Sequence, residues 1–99
     1  MQQVVRFVFP EVALRDQVEA DVALAIFSAE CLFGRPRTRL EVSYLLDADG
    51  HRCVLGVRGP AGETAAQVFI GLCAERFGEG GFTLERVPAQ GTEVAPWLA

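Results

Sequence analysis

The chain has 99 residues, 51% of them hydrophobic and 22% charged, with a formal net charge of −4. That length suits one domain able to bury roughly 60–70% of its unfolded surface, so neither a metal nor a disulfide is needed to hold it together. The acidic balance argues against sequence-independent nucleic-acid binding, which needs a net basic face, while so much apolar residue in so small a chain leaves surface for a partner.

Gln3 to Phe9 reads as a strand, with Val5, Phe7 and Phe9 on one face and Val4, Arg6 and Val8 on the other. Pro10 stops it, and a helical pattern runs from Glu11 to about Leu32. Leu14, Val18, Val22, Ala25, Ile26 and Ala29 recur there at spacings of three and four. A second stripe, Ala20, Ala23, Leu24, Phe27 and Cys31, makes the later half apolar around most of its circumference. A helix lying on one sheet face needs only one such stripe, so the surplus predicts contact with another subunit. Gly34 suits the closing position, and Arg35 to Arg39 reads as a loop.

Arg39 to Arg58 reads as a hairpin around Asp47-Ala48-Asp49-Gly50. If Asp49-Gly50 forms a two-residue turn, Leu46 lies opposite Cys53, Tyr44 opposite Leu55 and Val42 opposite Val57, giving one apolar face. The other face then pairs Asp47 with Arg52, Leu45 with Val54, Ser43 with Gly56 and Glu41 with Arg58. A slip by one residue would break both patterns, because side chains alternate between faces.

Gly59 to Gly62 reads as a break, after which Thr64 and Gln67 fit a capping box for a second helix whose buried side is Ala65, Val68, Phe69, Leu72, Cys73 and Phe77. Gly78 ends it. Phe82 to Val87 is a last strand, and Ala89 to Ala99 is a tail carrying Val94, Trp97 and Leu98. The order β-α-β-β-α-β predicts an α+β, ferredoxin-like βαββαβ sandwich: a four-stranded antiparallel sheet, strands one and three central, with two helices on one face. The expected organisation is one domain over residues 1–88 and a C-terminal tail over 89–99.

Chemistry-bearing residues are few. His51 is the one histidine, two residues from Cys53, but no second ligand pair accompanies it, and a turn histidine is more simply solvated. Cys31 and Cys73 read as small buried hydrophobes. Asp47 and Asp49 read as turn residues, and Glu11, Asp16, Glu19 and Asp21 as the solvated face of the first helix. All nine basic residues are arginines, and Arg35, Arg37 and Arg39 make the one dense positive patch. Guanidinium forks there suit an anionic ligand, although pairing with Glu30 and Glu41 is the simpler use. The central strands present no aromatic residue on the open face, which removes the base-stacking platform of RNA-binding sheets.

Three cysteines without a CxxC spacing encode neither a disulfide framework nor a zinc cluster. No basic leader precedes an apolar run, and no run approaches the ~18 apolar residues of a membrane span, so a cytoplasmic location away from membranes is expected. The sequence therefore points to a small homo-oligomeric binding or regulatory module without catalytic activity and without cofactor or metal. Leu45, Val54, Phe27 and Trp97 are the candidate interface residues, and the tail is a candidate site for a protein partner. The competing expectation is a small-molecule-binding protein or enzyme whose pocket, between sheet and helices or between subunits, uses His51 or the Arg35 to Arg39 segment.

Overall fold

The computed structural model describes residues 3–9, 15–47, 51–78 and 80–88. Their element order is β1 (Gln3–Val8), α1 (Arg15–Phe33), α2 (Arg35–Glu41), β2 (Val42–Leu46), β3 (Arg52–Val57), α3 (Gly59–Phe77) and β4 (Thr83–Pro88). The strands form one antiparallel sheet in the order β2-β3-β1-β4, so β1 and β3 are central, as the sequence pattern predicts. The architecture is thus an α+β fold with an open four-stranded sheet and three helices.

The hairpin register follows the alternation argument at every described position: Leu46 pairs with Cys53, Leu45 with Val54, Tyr44 with Leu55, Ser43 with Gly56 and Val42 with Val57. Asp47 N–H donates to the Arg52 carbonyl at 3.0 Å, and Arg52 Nε lies 3.5 Å from the Asp47 carboxylate. The turn residues 48–50 and the tail, with Trp97, lie outside the described residues.

The core lies between one sheet face and the inner sides of α1 and α3. Val5, Phe7, Cys53, Leu55 and Val57 from the sheet meet Val18, Val22 and Ala25 of α1 and Ala66, Phe69 and Cys73 of α3. Phe7 stands edge-on to Phe69 with ring centroids 4.7 Å apart, and Phe9 packs on Phe77 at 5.0 Å. The two long helices are also tied by a bidentate ion pair. Arg76 Nε and Nη2 donate to the Asp21 carboxylate at 2.7 and 3.0 Å, and Arg76 Nη1 donates to Gln17 at 3.2 Å.

Four expectations require correction. The Arg35 to Arg39 segment is not a loop but most of a third helix, α2. Pro36 occupies its first turn, and the buried Thr38 donates its hydroxyl to the Gly34 carbonyl at 2.9 Å, which closes that turn from inside. The helix expected from Thr64 starts five residues earlier at Gly59, because Pro60 suits a first helical turn and a carboxylate from α2 caps it. Asp21 is buried, not solvated, since Arg76 reaches it across the α1 to α3 contact. Cys31 is exposed, not buried, because it belongs to the α1 stripe that faces away from the sheet.

Candidate functional site

The arginine patch resolves into structural pairs. Gly34, at φ 88°, breaks α1 from α2 and turns the chain so that both helices present charge at one end of the helix layer. Arg35 and Arg39 lie 3.8 and 4.0 Å from the Glu30 carboxylate. Arg37 donates from Nε to Glu41 at 3.0 Å and sits 5.3 Å over the Phe33 ring. Two of the three guanidinium groups thus lie at the Glu30 carboxylate, and the third lies at Glu41 and the Phe33 ring.

Glu41 pairs with the arginine patch as the sequence suggests, but it also has a capping role that the sequence pattern missed. Its backbone carbonyl accepts from Arg58 N–H at 2.8 Å, which keeps the predicted opposition to Arg58, yet its side chain points to α3 and accepts from Ala61 N–H at 2.8 Å. It caps a helix whose own N-cap residue, Arg58, supplies no side-chain cap. The Arg37 hydrogen bond, with help from the Ala61 and Gly62 amides, holds this carboxyl below its ordinary range. Two glycines make room for it. Gly59, at φ 70°, has the Glu41 carboxylate where a Cβ would stand, and a Cβ on Gly62 would collide with the Glu41 carbonyl oxygen. A Gly-x-x-Gly facing an acid across a hairpin is the signal that could have revealed the cap.

His51 is half-buried at the start of β3. Its backbone carbonyl accepts from Phe9 N–H at 2.9 Å, and its Nδ1 lies 3.4 Å from the Phe9 carbonyl oxygen. This arrangement fastens β1 to the hairpin. Cys53 is fully buried on the helix side of the sheet and Cys73 faces it from α3, and burial pushes both thiols up to about 12. Neutral thiols are poor nucleophiles and poor ligands. Among the described residues no group of three or more metal-ligating side chains forms.

Two surface features remain. The sheet face away from the helices carries a concavity of about 680 Å³ lined by Arg6, Val8, Arg52, Val54, Thr83 and Glu85. The register puts Arg6 across from Val54 and Arg52 across from Val8, so two guanidinium groups flank a short aliphatic floor. Each already has an acidic neighbour, Glu85 at 3.2 Å and Asp47 at 3.5 Å. On the same face Leu45 is 39% exposed, but Val4 is buried. A smaller hollow of about 440 Å³ lies beside the β2 edge, lined by Ile26, Glu30, Arg39, Val42, Ser43 and Tyr44. Arg39 is the one residue of the arginine patch that reaches it.

The second feature is the outer side of α1. Ala20, Ala23, Leu24, Phe27 and Cys31 are all exposed, with Leu24 at 49% and Phe27 at 59%. From Val22 to Ala29 the helix carries no charge on any side. Of the candidate interface residues, Phe27 lies on this stripe, Leu45 and Val54 on the sheet face, and Trp97 outside the described residues. No family model and no curated protein matches the chain. Among the described residues no helix is long and apolar enough to cross a membrane.

Proposed function

We propose that this chain is a ferredoxin-like, homo-oligomeric module that works by binding and regulation in the cytoplasm, without catalysis of its own. The observation that carries this reading is the uncharged outer stripe of α1, where a phenylalanine and a leucine stand half-exposed among alanines. Water-exposed apolar patches of this kind are costly to leave bare, and a second copy is the partner always present at matching concentration. The sheet face contributes less, because Val4 is already buried and its arginines are already paired.

Native mass spectrometry of protein purified without denaturant tests the reading, since it counts subunits and retains bound ligand. A bare dimer or higher oligomer supports it. A monomer at high micromolar concentration contradicts it, and Leu45→Asp or Val54→Asp reports whether the sheet face takes part.

A second reading, a small-molecule site, is favoured by the concavity between Arg6 and Arg52. Its size falls in the range of small-ligand pockets, and its two guanidinium groups suit a carboxylate or phosphate. A small anion retained in the same spectrum, and lost in Arg52→Ala, would move this reading to first place.

A further inference from the structure

The residues along the outer side of α1 alternate in size, and the alternation has a definite symmetry. The first half of the stripe holds the small Ala20 and Ala23, and the larger Leu24 and Phe27 follow them, all exposed. Laid antiparallel about a two-fold axis between residues 23 and 24, paired positions on two copies add to 47. Phe27 of each copy then meets Ala20 of the other, Leu24 meets Ala23, and Cys31 meets Asp16. Every large side chain faces a small one, twice over, as an isologous contact requires. In a parallel pair Phe27 would face Phe27 and Ala20 would face Ala20, crowding one level and leaving a void at the other.

The polar flank of the stripe is compatible with this pairing. Glu19 lies 3.7 Å from Arg15, and Glu30 lies 3.8 and 4.0 Å from Arg35 and Arg39. In this register Asp16 approaches Glu30 of the other copy, and Arg35 and Arg39, 3.8 and 4.0 Å from that glutamate, supply the opposite sign there. The uncharged span from Val22 to Ala29 spares the centre of the contact any buried charge.

We infer that the chain forms an antiparallel homodimer through the outer face of α1, with Phe27 of one copy seated over Ala20 of the other. This rests on the self-association proposed above and specifies its surface and register. The stripe is a small contact, in the size class of weak and transient specific pairs.

A size-swap experiment tests the register by sedimentation equilibrium. Ala20→Phe places two phenylalanines against each other and Phe27→Ala opens a void, so each single variant should weaken the dimer at least about tenfold. The double variant Ala20→Phe, Phe27→Ala restores one large and one small residue at each contact and should recover the wild-type constant to within about threefold. Both positions are exposed, so the fold should survive, and thermal unfolding of each variant checks that it does. As an independent readout, Asp16→Cys should form an intermolecular disulfide with Cys31 under a mild oxidant. A dimer that the swap fails to rescue, or one cross-linked Cys31 to Cys31 in the wild-type chain, overturns the antiparallel register while leaving self-association standing. A wild-type chain that never dimerises overturns both.

Discussion

The two sides of α1 are equally apolar, yet they have opposite fates. On the inner side Val18, Val22, Ala25 and Ala29 are at most 2% exposed against the sheet and α3, whereas on the outer side Leu24 and Phe27 are about half exposed. What differs is the polar chemistry at the margins and the size of the side chains. The inner margin holds Asp21, buried at 6% exposure but locked bidentately by Arg76, so its charge stays satisfied when the helices close. The outer stripe has no such lock and carries the two larger residues. Hydrophobicity along a helix thus locates the surfaces that want covering. Which one the chain covers by itself depends on the other elements within reach.

The contrast can be broken by moving a charge from one side to the other. Val22→Asp places an unpaired carboxylate in the core and should destabilise the fold by several kcal/mol, enough to abolish cooperative unfolding at 37 °C. Leu24→Asp, two positions away, should leave thermal unfolding of the monomer within about 0.5 kcal/mol while removing self-association. Equal damage from the two substitutions would show that the outer stripe is part of the core.

The cysteines sharpen the same contrast. Cys53 and Cys73 belong to the inner layer and Cys31 to the outer one. A thiol reagent at pH 8 should modify only Cys31 in the native protein and all three in denaturant, with the Cys31 rate falling as protein concentration rises and the stripe becomes covered. Burial raises the two inner thiols from 9.0 to about 12, so the folded state holds their protons more tightly than the unfolded one. Their contribution to stability is complete below pH 9.0 and is lost as pH rises from there towards about 12. Alkaline denaturation should therefore steepen above pH 9.0, and less so in Cys53→Ala once its lower baseline stability is subtracted.

A smaller effect is expected at the end of the helix layer, where Glu41 joins α2 to α3. Its depressed carboxyl contributes stability above the ordinary Glu range and loses that contribution as pH falls through the depressed value. Glu41→Gln should lower the unfolding temperature at pH 7, and the gap from the wild type should close in acid, as followed by circular dichroism. A gap that is constant with pH would mean that the carboxylate charge has no part in the cap.

Much of this architecture was legible in the sequence because alternation and charge pairing constrained the same residues twice. In the hairpin the apolar set Val42, Tyr44, Leu46 and the charged pair Asp47 with Arg52 demand one register, and the sheet has it. The surplus stripe on α1 was legible for the same reason, since Ala20, Leu24 and Phe27 keep helical spacing whether or not anything covers them. What escaped was set by contacts distant in sequence. Arg35 to Glu41 has no apolar periodicity, and it is helical because Thr38 is buried and Glu41 reaches the amides of α3, 20 residues on. Asp21 looked solvated because its partner, Arg76, lies 55 residues away. At Arg35, Arg37 and Arg39 the sequence shows the charge, whereas the neighbours of each guanidinium group, Glu30, Glu41 and Phe33, are set by how α2 folds back beside α1.

The most direct test of the central claim is sedimentation equilibrium of the wild-type chain and Leu24→Asp, side by side, from about 5 to 500 μM, a span that reaches weak association. The wild type should show a monomer–dimer equilibrium and the variant should be monomeric throughout, with both folded. A wild type that stays monomeric, or a variant that dimerises as strongly as the wild type, would contradict it.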